Sequence, residues 1–160
     1  MTYLMILGVY SAVLAILFFA GKKAIGLPLL GLAAGALIAN LWTGELTPLV
    51  ANAGFVVTSP PLTSIVAVAL TFLPSILLLL RAPKTDGKLK LVINSLVYGL
   101  VGVALTYAAF SNAVVLDDAS SAIVAQILPY SNLVITVGIV IAIFDVLSAK
   151  KSKGPGRPKK

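Results

Sequence analysis

Five long runs of apolar residues, separated by shorter polar stretches, organise this chain. They cover residues 3–20, 24–42, 62–80, 91–110 and 129–147. A helix rises about 1.5 Å per residue, so runs of about 19 residues match a hydrocarbon layer of about 30 Å. The pattern predicts an all-α integral membrane bundle of about five transmembrane helices.

Prolines and linker lengths predict how these helices end and meet. Residues 43–61 form a mixed polar and apolar linker, and Pro74 predicts a kink in the third helix. Pro129 is predicted to separate a short helix at residues 122–128 from the last span. Because only residues 21–23 join the first two runs, we expect those two helices to form a tight antiparallel hairpin.

The composition indicates lipid as the main solvent and offers little for catalysis. Apolar residues make up 59% of the chain and charged residues 11%, whereas a soluble domain carries about 25% charged residues. There is no Cys, no His and no nucleotide-binding or zinc-protease motif, and only five carboxylates occur. We therefore expect a non-enzymatic protein with no cofactor, no metal and no catalytic residue.

The positive charges follow alternate apolar runs. All twelve Lys and Arg residues come after the first, third or fifth run, and the positive-inside rule places such segments in the cytoplasm. This predicts a multi-pass membrane protein with its amino terminus outside and its carboxyl terminus in the cytoplasm. The residues expected to contact anionic lipid or a partner are Lys22, Lys23, Arg81, Lys84, Lys150, Lys151, Lys153, Arg157, Lys159 and Lys160.

The end of the chain has two interpretations. Residues 149–160 are polar and rich in Pro and Gly, which predicts a disordered basic cytoplasmic tail. Gly156-Arg157-Pro158 also resembles the core of an AT-hook, a minor-groove binder, but membrane topology already accounts for these charges and nucleic acid is not an expected partner. Asp145, near the end of the last run, is expected to be an interfacial carboxylate within reach of Lys150 and Lys151.

Small residues recur at spacings of three and four within four of the runs. Lipid tails are as apolar as Leu, so helices in a membrane associate through close packing rather than hydrophobicity. We predict packing within one chain, with a homo-oligomer interface, other membrane subunits or a pore lining as alternatives. The residues predicted at these contacts are Gly8, Ala12, Gly31, Gly35, Ala67, Thr71, Ser95, Gly99 and Gly102.

The fourth run also carries a polar face. Asn94, Tyr98 and Thr106 lie four or eight residues apart, so they share one side of a helix. They predict either hydrogen bonds between helices or the lining of a polar cavity. In the second case they would act together with Thr63, Thr71 and Ser75 of the third run, and the protein would be a small channel or transporter.

The order of parts resembles a known family. A short basic turn at Gly21-Lys22-Lys23 leads into a Gly- and Ala-rich second run, and Tyr98-Gly99-Leu100-Val101-Gly102 lies in the fourth. Ser121 and Pro129-Tyr130 then follow. Together these parts resemble the colicin V production protein family of small bacterial inner-membrane proteins. The resemblance implies a non-enzymatic role in peptide-toxin export or envelope homeostasis. A membrane subunit whose basic tail contacts lipid, an acidic partner or DNA is a further alternative.

Overall fold

Five α-helices make up most of the structure, a computed structural model that describes residues 2–55, 57, 60–85, 87–113 and 118–151. The helices are α1 (Thr2–Gly21), α2 (Gly26–Asn52), α3 (Leu62–Arg81), α4 (Lys88–Ala113) and α5 (Asp118–Lys151). Four of them contain a segment long and apolar enough to cross a membrane, namely Gly26–Asn52, Leu62–Arg81, Lys88–Tyr107 and Pro129–Ser148. The predicted all-α class is therefore confirmed.

The length of α1 and the exposed faces of the bundle both bear on the predicted location in a membrane. α1 contributes a shorter apolar helix over Met5–Gly21, so a fifth membrane crossing stays a prediction. Exposed faces of the bundle carry large apolar side chains, including Ile16, Leu77, Leu100 and Phe144. Such a surface is compatible with contact with a lipid bilayer.

Two helices extend beyond the apolar runs that predicted them. α2 continues through Pro48 to Asn52, and α5 begins at Asp118 and continues through Pro129. A proline removes one backbone hydrogen bond and bends a helix, but it does not oblige the helix to end. α2 ends where Gly54 takes a left-handed conformation with φ of 94°, a conformation that favours glycine.

The predicted hairpin of α1 and α2 is not formed: among the described residues α1 packs chiefly against α4. The linker between α1 and α2 pairs instead with the loop between α3 and α4. Ala24 N donates to Pro83 O at 2.8 Å, and Thr85 N donates to Lys22 O at 2.9 Å. These bonds direct the chain away from α1 before α2 begins.

α2 and α4 occupy the centre of the bundle. α2 contacts α3, α4 and α5, with α3 as its most extensive neighbour, and α4 contacts all four other helices. A core of buried side chains lies between them and includes Phe18, Leu29, Leu32, Tyr98 and Val101. The two central helices thus connect parts of the chain that are far apart in sequence.

Positively charged residues meet at one end of the bundle, which we call the basic end. It is formed by the linker 21–25, the segment 81–90 and the part of α5 around Asp145. Lys23 Nζ donates to Ala82 O at 2.9 Å, so it satisfies a carbonyl at the carboxyl end of α3. The first two predicted basic segments are therefore neighbours in space, and α5 reaches the same end through Asp145.

Candidate functional site

A cavity of about 480 Å³ lies between α2, α3 and α4 and is open to the surroundings. We call it the vestibule. It adjoins the middle of α2, the first half of α3 and the second half of α4, so it lies towards the end opposite the basic end. The residues that line it are Ala36, Ala39, Asn40, Thr43, Pro61, Thr63, Ser64, Ala67, Thr71, Leu105, Thr106 and Ala109.

Three threonines of the vestibule hold their hydroxyl groups in the same way. The Oγ1 atoms of Thr43, Thr71 and Thr106 donate to carbonyl oxygens four residues earlier, at 2.6, 2.8 and 2.7 Å respectively. This bond is a common solution for threonine inside a helix. Because each hydroxyl proton is used within its own helix, each oxygen retains only acceptor capacity.

A tyrosine of α1 closes the inner wall of the vestibule. The hydroxyls of Tyr10 and Thr106 lie 3.3 Å apart, and Tyr10 must be the donor because the Thr106 proton goes to Gly102 O. The Tyr10 ring meets Phe72 edge-on, with centroids 6.4 Å apart, in a geometry that aromatic pairs favour. Thr71 and Thr106 are only 3% and 1% exposed, so they form the deep part of the vestibule.

Below the vestibule, towards the basic end, the bundle is packed. Ser75 Oγ donates to Pro28 O at 2.8 Å and receives a hydrogen bond from the Tyr98 hydroxyl at 2.7 Å. Tyr98 stacks on Phe18 with a centroid distance of 4.6 Å. Ser75 is 0% exposed and Tyr98 5% exposed. We call this group the hydroxyl barrier, because it separates the vestibule from the basic end.

The predicted polar face of α4 is therefore divided between two environments. Thr106 lines the vestibule, whereas Tyr98 belongs to the hydroxyl barrier. Asn94 is buried further towards the basic end, and among the described residues its Nδ2 atom has no hydrogen-bond partner. On α3, Thr63 and Thr71 line the vestibule and Ser75 lies in the barrier. Tyr98 thus bonds between helices and Thr106 lines a cavity, while Asn94 does neither among the described residues.

Close helix contacts surround the vestibule at several of the predicted small residues. A Cβ at Gly31 would lie 2.7 Å from Ser75 Cα, and one at Gly35 would overlap the Thr71 carbonyl. Gly99 faces Ser11 O of α1, and Gly102 faces Leu14. The remaining members differ in position: Ala67 and Thr71 line the vestibule, Ser95 is buried and donates to Leu91 O, and Gly8 and Ala12 are exposed.

Asp145 joins three helices at the basic end. Its Oδ2 atom accepts a hydrogen bond from Gly26 N at 3.0 Å, and its Oδ1 atom lies 3.0 Å from Lys90 Nζ. The carboxylate thus satisfies an unpaired amide at the amino end of α2, where a negative charge is also favoured by the helix dipole. The sequence placed Lys150 and Lys151 beside Asp145, and their side chains lie outside the described residues.

The other predicted basic contacts are distributed as follows. Lys22, Arg81 and Lys84 are exposed at the basic end, while Lys23 has the structural contact with α3 described above. Lys153, Arg157, Lys159 and Lys160 lie outside the described residues, as does the predicted disordered tail from residue 152 onward. Sequence reasoning missed the role of Lys23 because its partners on α3 lie 57 and 59 residues away.

Comparison with known proteins adds no assignment. No family model, no curated protein and no solved structure matches the chain. Within the described part of the chain, no group of three or more His, Cys, Asp or Glu residues could hold a metal ion. The vestibule and the hydroxyl barrier are therefore the features on which a functional proposal rests.

Proposed function

We propose that this chain is a non-enzymatic multi-pass membrane protein that admits a small polar solute into the vestibule, as a small channel or transporter does. The vestibule itself carries the proposal. Polar side chains inside a membrane bundle bond to one another, bond to the backbone of their own helix, or line a water-filled space. Ser75 and Tyr98 do the first and Thr71 does the second, while the exposed Asn40 and Thr63 line an open cavity.

The arrangement of charges supports an orientation for this proposal. The basic end would face the cytoplasm of a bacterial inner membrane, with α1 as a fifth crossing and the amino terminus outside. The vestibule would then open to the outside, and the hydroxyl barrier would separate it from the cytoplasm. A solute that passes the whole bundle must displace Tyr98, whose ring and hydroxyl are both held in place.

Cysteine labelling tests whether the vestibule is open to water. The chain has no cysteine, so a single introduced cysteine is the only thiol that the reagent can label. Thiols react as thiolates, which form in water and not in lipid or a packed core. We expect Asn40→Cys and Thr63→Cys to react rapidly with a charged, membrane-impermeant maleimide added from the vestibule side.

Two control positions make this measurement specific. Ser75→Cys probes the packed barrier one layer below the vestibule, and Leu73→Cys probes the exposed apolar face of the same helix. Both should react slowly in folded protein and rapidly after denaturation. Slow labelling of Asn40→Cys and Thr63→Cys in folded protein would show that no water-filled vestibule exists, and the proposal would fail.

A role in peptide export or envelope homeostasis is a second candidate, and it is favoured by one surface of α1. Gly8 and Ala12 are exposed, and nothing lies within 4 Å of a Cβ added at Gly8. Another transmembrane helix or a second copy could approach this surface closely. Crosslinking from Ala12→Cys in native membranes should then capture a partner. A strictly monomeric product with no crosslinked species would contradict this candidate.

A further inference from the structure

We propose that the vestibule selects small uncharged solutes that donate hydrogen bonds, such as polyols or urea-like amides. This inference rests on the proposed function, because it names the class of solute for the same site. Three independent properties of the vestibule support it: the hydrogen-bonding state of its deep hydroxyls, the charge of its lining and its size.

The deep wall of the vestibule offers acceptors. Thr71 and Thr106 each donate their proton to a carbonyl of their own helix, at 2.8 and 2.7 Å. Thr106 also accepts from Tyr10, which leaves Thr71 Oγ1 as the deep oxygen with the most remaining acceptor capacity. A solute with a hydroxyl or an amide N–H can donate to these oxygens, whereas one that only accepts gains nothing from them.

The mouth of the vestibule adds groups that can donate as well as accept. Asn40 carries an amide with both functions and Thr63 a hydroxyl, and both residues are exposed, whereas the Ser64 hydroxyl is buried in the lining. Thr43, on the same helix as Asn40, again presents an oxygen whose proton is used internally. A molecule with several hydroxyl or amide groups can therefore form hydrogen bonds both with the exposed lining residues and with the deep part of the vestibule.

The described residues of the lining carry no charge that could stabilise an ion. None of the described side chains that line the vestibule is ionisable. An ion moved from water into a medium of low dielectric loses much of its solvation, and buried charges are accordingly paired or bound by many ligands. The few hydroxyl oxygens here cannot replace a hydration shell, so an uncharged solute is favoured.

The vestibule is large enough for a small solute together with water. Its volume is about 480 Å³, while a water molecule occupies about 30 Å³ in the liquid. A molecule of three to six heavy atoms would therefore enter together with several waters.

Protection of a single thiol tests the solute class directly. The Thr63→Cys protein, purified in full length, is labelled with the impermeant maleimide in the presence of glycerol, urea, potassium chloride or ammonium chloride. A bound solute slows labelling by a factor of 1 + [L]/Kd, so about tenfold at a concentration of about nine times Kd. We expect glycerol or urea to slow the reaction in a saturable manner and the two salts to leave it unchanged.

A matched pair of threonine substitutions tests the role of the deep acceptor. Thr71→Val, made in the Thr63→Cys protein, removes the vestibule oxygen and keeps the shape of the side chain. Thr136→Val removes a hydroxyl with the same bond to its own helix, Oγ1 to Asn132 O at 2.7 Å, on the exposed surface of α5. Thr71→Val should raise the solute's Kd about 2- to 13-fold, which is the range expected for one hydrogen bond, and Thr136→Val should leave it unchanged.

The possible outcomes separate this inference from the proposed function. Rapid labelling of Thr63→Cys with protection by the salts alone would overturn the uncharged class but retain the vestibule. Rapid labelling without saturable protection by glycerol or urea would also overturn the class. Slow labelling without any solute would overturn the vestibule, and with it the proposed function. Equal effects of Thr71→Val and Thr136→Val would overturn the deep acceptor.

Discussion

At the scale of single residues, one hydroxyl connects three helices. Ser75 of α3 donates to Pro28 O of α2 and accepts from the Tyr98 hydroxyl of α4. Gly31 permits this geometry, because any side chain there would press on the Ser75 backbone. The sequence identified Ser75 and Tyr98 as polar positions on helix faces. It could not pair them, since 23 residues and a loop separate the two side chains.

Removing the donor and removing the acceptor of the hydrogen bond between Tyr98 and Ser75 should lower the free energy of unfolding by different amounts. Tyr98→Phe deletes the donor and leaves Ser75 bonded to Pro28, so we expect the free energy of unfolding to fall by about 0.5–1.5 kcal/mol. Ser75→Ala leaves the Tyr98 hydroxyl buried without its acceptor, so a larger loss of about 1–3 kcal/mol is expected. Reversible unfolding in mixed micelles with increasing denaturing detergent measures both values.

The control for the tyrosine substitution is Tyr130→Phe, because Tyr130 is 65% exposed on α5. It should change the free energy of unfolding by less than about 0.5 kcal/mol. The double variant Ser75→Ala with Tyr98→Phe should lose less than the sum of the single losses, because no unsatisfied hydroxyl remains. A larger loss for Tyr98→Phe than for Ser75→Ala would contradict this account of the bond.

At the scale of helices, the apolar runs predicted where each helix lies in the chain better than they predicted the residues at which it begins and ends. Pro48 and Pro129 are typical of helix boundaries, yet both lie inside helices. A proline forfeits one hydrogen bond, while the neighbouring bonds continue the helix; in α2 the Thr47 hydroxyl adds one to Thr43 O at 2.6 Å. Apolar length therefore predicts where a helix crosses lipid, and it says little about helical turns beyond the hydrocarbon.

The contact between α2 and α3 should depend on the absence of side chains at two positions. Gly31→Ala would bring a Cβ within 2.9 Å of Ser75 N and 2.7 Å of its Cα. Because backbone atoms cannot move aside without moving the helix, we expect a loss of about 1–3 kcal/mol in the free energy of unfolding. Detergent unfolding measures this loss, and a raised exposure of the Ser75→Cys thiol in the same background provides an independent readout.

Gly8→Ala is the matched control for this prediction. Gly8 also lies inside an apolar helix, but nothing lies within 4 Å of an added Cβ. Alanine is favoured over glycine in helices by about 1 kcal/mol, so Gly8→Ala should leave stability unchanged or raise it. Similar losses for both alanine variants would show that the loss at Gly31 is not specific to the α2–α3 contact.

At the scale of the whole molecule, the positions of the charges predicted which helix ends lie on the same side, but not which helices pack together. The alternation of basic segments placed residues 22–23 and 81–90 on one side, and the structure brings these segments together through the Lys23 and Lys84 backbones. Which helices touch is a different matter, because α1 packs on α4 and not on the adjacent α2. Helix contacts depend on shape complementarity, which a charge count does not contain.

Labelling from the two sides of the membrane tests the proposed orientation. Lys84→Cys lies at the basic end and Glu45→Cys at the opposite end, and both positions are exposed. In sealed right-side-out vesicles an impermeant maleimide should label Glu45→Cys and leave Lys84→Cys unreacted. Inverted vesicles should reverse this pattern. Labelling of both variants from the same side would contradict a membrane crossing by α2 and α3 in the proposed orientation.

The hydrogen bond between Gly26 and Asp145 can form only after nearly all of the bundle has been synthesised. The amide of Gly26 finds its acceptor on a residue 119 positions later in the chain, and ribosomes extend chains at about 5–20 residues per second. The first turn of α2 therefore forms on the order of ten seconds before this acceptor is synthesised, and until then its amide must bond to water or to another group. Arrival of α5 replaces that partner, so the amino end of α2 reaches its final environment only when the last helix packs against it.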